Sequence, residues 1–444
     1  MELGEAAQHG LLRNRAFLAV WSAQILSMTA ANALTSALIA LVAELTKSNT
    51  SSSLLILFAV VPPVLFGILA GVFVDRSDKR LVLVVTNALR ALAVTVTLLF
   101  GRDLVTAYAV NFLVASVTVF FVPAEAATLP AIVRKRDLLT ANSLFTFTFN
   151  GAFLLGFIIV APLVVAFAGY PTLFAIIVAM FAASAILCAT LPPGAPVAER
   201  LGVDVAGQAI DRGRRDVGEA LAFLTKQPAI TWSLVYIAVT YTLVAMAGAL
   251  APGYVREVLL LPERSFALLV APAGIGVIAG LGTLNAVSPR IGHSRAVGLG
   301  LGTAAVALVV LAAARPVALV AGRAAQGGGL EGLPYFIGVV TLTAFVFGIS
   351  YAFITVPSMT YIQEELPEVI RGRVFGVLNM LVSVFSLLPL LVIGPVADIW
   401  GIAPVFVGAA ILVIGVWMGG RRVRRIAMVG RGLANVSRDT GAPR

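Results

Sequence analysis

Runs of roughly 20 mostly apolar residues recur from one end of this 444-residue chain to the other, each long enough to cross a hydrocarbon layer of about 30 Å as a helix. Lipid offers no hydrogen bonds, so every backbone N–H and C=O inside it must find a partner in the chain itself. The runs are continuous and lack the alternation of a lipid-exposed barrel strand, which leaves helices. With 60% hydrophobic and 12% charged residues and a mean hydropathy of +1.01, there is too little polar surface to cover a water-soluble globule of this length.

The runs predict an all-α membrane protein with twelve transmembrane helices, at about 16–46, 52–75, 81–100, 104–122, 139–168, 171–191, 229–256, 265–288, 296–314, 333–359, 371–398 and 402–420. The first run is too long for a signal-peptide core and has no small-residue cleavage site after it. If the N-terminus is inside, 24 Lys and Arg residues fall on the inner side. Six fall outside: Lys47, Arg102, Arg256, Arg264, Arg315 and Arg323. That bias places both termini in the cytoplasm of a bacterial-type cell (inner) membrane. Trp21, Trp232, Trp400 and Trp417 all lie near predicted helix ends, where an amphipathic ring favours the headgroup level.

The longest polar interruption, 192–228, opens with Pro192, Pro193 and Gly194 and divides the chain. Residues 1–191 form a first six-helix bundle, 192–228 a cytoplasmic linker, 229–420 a second bundle and 421–444 a basic cytoplasmic tail. In the linker Val217, Ala220, Leu221 and Leu224 recur at helical spacing, as in an amphipathic helix on the membrane surface. The two bundles read as pseudo-repeats. Pro63, Gly67 and Gly71 recur as Pro272, Gly276 and Gly280; Pro130, Arg134, Arg136 and Asn142 recur as Pro367, Arg371, Arg373 and Asn379. Small residues one turn apart in spans 2 and 8 are expected to let neighbouring helices approach closely.

Several chemistries are disfavoured. The net charge of +10 is dispersed in short clusters between apolar runs, a topological signal and not a nucleic-acid-binding face. Cys188 is single and sits in an apolar run, and His9 and His293 lie outside the runs, which argues against a disulfide framework, a thiol metal site or an embedded histidine relay. There is no Walker-type loop and no nucleophile–base arrangement, so neither ATP-driven transport nor enzymatic catalysis is expected, and no cofactor beyond a proton gradient. The sequon Asn49-Thr50-Ser51 falls in an outer loop and is of a size that chance produces.

Between spans 2 and 3 stands GVFVDRSDKR, residues 71–80. A carboxylate at Asp75 on the membrane edge can accept from a neighbouring helix N-terminus or pair with Arg76 or Arg80. The segment resembles the loop signature of the major facilitator superfamily. The stretches FVPAEAATLPAIVRKRDLLTANSL (121–144), VGEALAFLTKQP (217–228) and QEELPEVIRGRVFG (363–376) look like that family's enterobactin-exporter and macrolide-efflux branch. The resemblance implies the major facilitator fold, a functional monomer, and a gate in which Asp75 locks the cytoplasmic side in the outward-facing state. Gating candidates are Gly71, Asp75, Arg76, Lys79 and Arg80, with Arg371 and Arg373 at the matching entry of the second half. The equivalent second-half loop, 288–295, keeps the bases and lacks the acid, so the gate is asymmetric.

In the family fold, spans 1, 4, 7 and 10 line the central cavity; carried onto this chain they offer Gln24, Asn32, Asn111, Tyr241, Phe345 and Phe347. That uncharged, aromatic and hydrogen-bonding set suits a bulky, mostly apolar solute with a few polar groups. Phe145, Phe147, Phe149 and Phe153 either join the cavity or face lipid. Span 5 keeps Gly151, Gly156 and Pro162 of a degenerate antiporter signature, and span 1 carries Ser27, Ala31 and Asn32 where the branch often has an acid.

Coupling to protons needs an ionisable group in the membrane, and no acid sits at a predicted midplane. Glu44, Glu257 and Asp398 fall near outer ends, Asp75 and Glu125 near the inner face. Arg90 is the one base deep in a span and must meet a partner, either as an anion or coupling contact or as an interhelical polar pair. Glu44, Arg90 and Glu125 are the coupling candidates. The expected function is secondary active export of small amphiphilic molecules. A transport-inactive sensor or partner protein of the same fold, or a lipid flippase or importer, are the alternatives.

Overall fold

The computed structural model describes residues 11–100, 103–192, 218–219, 222–324, 333–365 and 387–439. They are helical almost throughout: α1 Arg15–Thr46, α2 Asn49–Arg76, α3 Lys79–Phe100, α4 Leu104–Ile132, α5 Leu138–Phe153, α6 Ala161–Ala189, α7 Pro228–Glu257, α8 Ala267–Ile291, α9 His293–Ala324, α10 Leu333–Glu365, α11 Leu387–Trp400 and α12 Ile402–Asp439. Among the described residues ten helical stretches are long and apolar enough to cross a membrane. One of them, Thr140–Ala189, is 50 residues long and turns at Gly169, whose φ of 76° no bulky L-residue adopts cheaply. The turn falls between the two spans predicted at 139–168 and 171–191. Most of the predicted linker lies outside the described residues, and α12 runs on through the predicted tail as far as Asp439.

Local chemistry explains the helix ends. Asn14 caps α1, its side chain accepting from the N–H of Ala16 and Phe17 at 3.1 and 3.2 Å. Lys47 closes α1 in the left-handed region at φ 54°, and Asp103 caps α4 through Thr106 N–H at 3.0 Å. The sequence predicts that α4 stops at 122, before Pro123. The helix instead continues to Ile132 with Pro123 and Pro130 inside it, because a membrane helix tolerates proline where its neighbours resupply the lost contacts. The correction places Glu125 inside α4, about two turns from its end.

By compactness the chain falls into two units. The first is Met1–Arg214 with Gly248–Ala271 and Leu390–Asp398; the second is Arg215–Ala247, Pro272–Pro389 and Ile399–Arg444. In the first unit α1 is the most enclosed of the candidate spans, packed by α2, α4, α5 and α6, while α3 lies against α4 and α6. In the second, α9 packs on α10 and α12. The repeated glycines diverge here. Gly276 and Gly280 on α8 lie against the α10 backbone around Phe345 and Ile349, so that a Cβ would collide, whereas Gly67 and Gly71 on α2 have nothing within 4 Å of a Cβ.

Between α5 and α6, Leu154–Val160 is a π-helical segment. Its cause is readable. Ala161 N–H bonds the Gly156 carbonyl five residues back, and the next residue, Pro162, has no N–H to offer the Phe157 carbonyl. Ser36 Oγ of α1 fills the vacancy, donating to Phe157 O at 2.8 Å. Gly156 makes the approach possible, since a Cβ there would overlap Thr29 O and lie 2.9 Å from Ala33 N. Ser36→Ala is therefore expected to lower stability by about 0.6–2 kcal/mol. Gly156→Val should cost more, about 1–3 kcal/mol, by prising α1 from the π segment. Residual monodisperse protein after graded heating in detergent measures both.

Candidate functional site

Three charged or polar places in the first unit carry most of the ionisable chemistry. The deepest surrounds Arg90 on α3, which is 0% exposed. Its Nη1 donates to Ser27 Oγ on α1 at 2.6 Å; Ser27 in turn donates to Asn87 Oδ1 at 2.8 Å, and Asn87 Nδ2 donates to Leu83 O at 2.9 Å. The guanidinium carbon lies 4.5 Å from the ring centre of Phe121 on α4 and 5.7 Å from that of Phe181 on α6. A flat, weakly hydrated cation is suited to such faces, and desolvated pairs of this kind contribute about 2 kcal/mol. Glu125, one turn beyond Phe121, is 5% exposed and senses the Arg90 charge. Yet among the described residues Glu125 Oε1 accepts no hydrogen bond, and Arg90 Nε and Nη2 donate none. Ser184 and Cys188 of α6 are buried nearby, Cys188 as a free thiol.

The second place is the end of the unit where α1 gives way to α2. Asn49 and Thr50 open α2, so their N–H groups have no partner within the helix. Asp398 of α11 supplies one, accepting from Asn49 N at 2.7 Å, Thr50 N at 3.0 Å, and the hydroxyls of Ser48 and Thr50 at 2.6 Å each. A carboxylate also matches the positive end of the helix dipole. Gly394, one turn earlier, permits the approach, because a Cβ there would come within 2.6 Å of Thr50 Cα. Beside this cap, Lys47 Nζ lies 2.8 Å from Glu263, and Arg256 reaches Glu257 at 2.8 Å and Glu263 at 3.6 Å. Asn49, 1% exposed, donates to Glu257 at 3.0 Å, so the sequon asparagine is buried in a polar network. The sequence places Glu257 and Asp398 at helix ends without giving them a role, and it gives Glu263 none at all. The available signal was three acids at span ends facing a basic, hydroxyl-rich turn, Lys47–Thr50.

The third place is the α2–α3 turn. Lys79 Nζ donates to the Asp75 carbonyl at 2.7 Å, Arg80 N–H to Asp78 Oδ1 at 2.9 Å, and Arg80 Nη2 to Ala189 O at 2.5 Å, which caps the C-terminus of α6. Arg76 is half-buried in the last turn of α2. The Asp75 side chain is exposed and accepts no hydrogen bond from a described residue. Gly71, one turn before it, is open to its surroundings, and Arg371 and Arg373 lie outside the described residues.

The cavity candidates divide between the units. Gln24 is buried and holds α1 to α5, donating to Phe145 O at 3.2 Å and accepting from Thr148 Oγ1 at 3.0 Å. Asn111 is buried and holds α4 to α2 through Leu55 O at 2.7 Å, while the half-buried Asn32 bonds Met28 O on its own helix at 2.8 Å. In the second unit Tyr241 is 38% exposed and meets Tyr351 edge to face at 6.1 Å, and Phe345 and Phe347 are half-buried on α10. Phe145 is buried against Phe17, whereas Phe147, Phe149 and Phe153 are exposed. Glu44 is half-buried near the end of α1.

A chain of long apolar helices with a charged α2–α3 turn invites comparison with known transporters, and residues 20–390 match the family described as the Major Facilitator Superfamily. The chain belongs to this superfamily. It is accordingly a multi-pass membrane transporter of a small-molecule substrate and not an enzyme. Among superfamily relatives, the multidrug efflux pump Tap of Mycolicibacterium fortuitum is 26% identical over 384 residues, covering 83% of this chain and 86% of Tap. The uncharacterized MFS-type transporter YfiS of Bacillus subtilis is 22% identical over 376 residues, covering 84% of each. A point-mutant form of the nucleoside transporter NupG shares the fold with a TM-score of 0.69 at 14% identity, covering 91% of this chain and 99% of that one.

The ion-pair cluster has a pH signature. Burial by itself raises the Glu263 carboxyl; the hydrogen bond from Lys47, its own backbone N–H and the charges of Lys47 and Arg256 outweigh burial and hold it below the ordinary 4.5. A lowered folded-state value means the contribution is complete above the unfolded value and is lost as pH falls through the folded one. Thermal stability of the wild type should therefore drop on acidification below about pH 4.5 more steeply than that of Glu263→Gln, measured by unfolding midpoints across an acid series.

Proposed function

We propose that this protein is a secondary active exporter of small amphiphilic molecules in a bacterial-type inner membrane. It works as a monomer by alternating access and draws on the proton gradient. Its termini lie in the cytoplasm, as the distribution of Lys and Arg favours, so the α1–α2 turn with its capping carboxylate faces outward.

One observation carries the reading. Asp398, Arg256, Glu257 and Glu263, all from the second half of the sequence, are joined to Lys47–Thr50 by hydrogen bonds and ion pairs with an exposed Asp398 at their centre. The contacts made by the exposed Asp398 and by Lys47 at this end are worth little net because water replaces them readily. A gate that opens and closes in every transport cycle needs that property, which an apolar seam of equal extent lacks. Export, and an amphiphilic substrate, are supported by the likeness to the efflux pump Tap and by the aromatic, uncharged residues Tyr241, Phe345 and Phe347. Gln24, Asn32 and Asn111 are the polar candidates. The first two lie on α1, and Asn32, with a half-buried amide, is the more accessible to a substrate.

The test is accumulation of ethidium and other fluorescent amphiphiles in an efflux-deficient bacterium, with and without a protonophore. Lower accumulation that the protonophore abolishes is the expected result; unchanged accumulation with well-inserted protein across the panel overturns export of this class. At the gates, Asp398→Ala should shift the outward end toward its open form by about 1 kcal/mol, or roughly fivefold, read as faster labelling of a cysteine introduced at Ser52. Asp75→Asn should slow efflux severalfold with insertion intact, and normal efflux by that variant would remove Asp75 from the gate.

A further inference from the structure

We infer that Glu125 is the group that carries the coupling proton, with Arg90 as a fixed positive charge competing with the proton for the same carboxylate. The inference rests on the reading of the chain as a gradient-driven transporter.

The observation is a fully buried base lying against the ring of Phe121 and a buried acid one turn further along the same helix, the facing polar atoms of neither being used. Arg90 is fully buried and spends one of its donors, Nη1, on Ser27, while Nε and Nη2 stay idle. Glu125 lies within reach of that charge, is nineteen-twentieths buried, and leaves Oε1 without a donor. An ionised carboxylate buried without a hydrogen bond is costly, and two idle guanidinium donors beside it would be drawn to close on it. A neutral acid exerts no such pull. In the protonated state the proposal assigns to Glu125, Arg90 rests instead on Ser27 and on the faces of Phe121 and Phe181. Release of the proton to water leaves a carboxylate and breaks only the O–H bond; Arg90 Nε and Nη2 then pair with it, and binding of a proton reverses the exchange.

The surroundings isolate this equilibrium. Glu125 is the one acidic or basic residue of α4, whose Tyr108 phenol lies in the first turns at the opposite end, and α5 has no ionisable residue. On α1 the charged residues, Arg15 and Glu44, stand near its two ends; on α2 Asp75 and Arg76 occupy the last turn, and on α3 Lys79 and Arg80 the first. Arg90 from α3 and the Cys188 thiol from α6 are the groups electrostatically coupled to Glu125. Because Ser27 and Asn87 link Arg90 to α1 and back to α3, movement of the guanidinium toward Glu125 loosens a bond to the most enclosed helix of the unit. Protonation is thereby tied to the packing of α1, the connection a coupled transporter requires.

Infrared difference spectra of the full-length protein in lipid vesicles, taken between acid and alkaline buffer, test this without a substrate. The wild type is expected to show a titrating carbonyl stretch of a poorly hydrated carboxylic acid that shifts when glutamate alone is carbon-13 labelled. The band should vanish in Glu125→Gln and persist in Asp75→Asn. In Glu125→Asp it should remain but no longer respond to the glutamate label, so either Glu125 variant suffices if the other is not recovered as monodisperse protein. A band that survives unchanged in these variants, or no titrating band in the wild type, overturns the assignment. Ethidium efflux is scored separately. Protonophore-sensitive efflux without a Glu125 band would sink the proton site alone, and a Glu125 band without efflux would sink the export reading alone.

Discussion

Everything in this structure answers to the absence of water around the helices. A hydrocarbon surrounding supplies neither hydrogen bonds nor dielectric screening, so each backbone group and each charge must be settled inside the protein. Where the chain departs from regular helix, a side chain steps in. Ser36 takes the Phe157 carbonyl orphaned by Pro162, and Arg80 takes the Ala189 carbonyl at the end of α6. Asn111 and Tyr108 donate to the Leu55 and Ser51 carbonyls of α2.

The same constraint sorts the charges by depth. Bases and acids gather at helix ends, where water competes for them and their pairings are cheap to exchange. Arg90 and Glu125 are exceptions, and the cage of one hydroxyl and two aromatic faces around Arg90 is what a buried guanidinium requires.

Much of the architecture could be read from the residues. Span length and apolar content located the helices, and the Gly169-Tyr170-Pro171 turn separated two spans that otherwise run together. The span expected at 104–122 runs on to Ile132, because Pro123 and Pro130 sit inside a membrane helix whose neighbours resupply what proline removes. The need of Arg90 for a partner was legible, but its partners were not. Ser27, Phe121 and Phe181 lie on three other helices and meet the guanidinium only once the helices have rotated against one another. The Asp398 cap was hidden for a similar reason: 349 positions separate it from Asn49, and no local pattern links a span-end acid to a distant helix start.

The π-helical segment Leu154–Val160 also bears on how this chain should be aligned with its kin. Widening a helix to five-residue hydrogen bonds accommodates an extra residue without lengthening the path through the membrane, and each such residue turns the downstream helix by about 100° relative to an unbroken α-helix. A relative lacking the bulge would present Pro162 and its neighbours on a different face at the same position number. Position-by-position comparison with a relative lacking the bulge would need a one-residue gap inside a membrane helix.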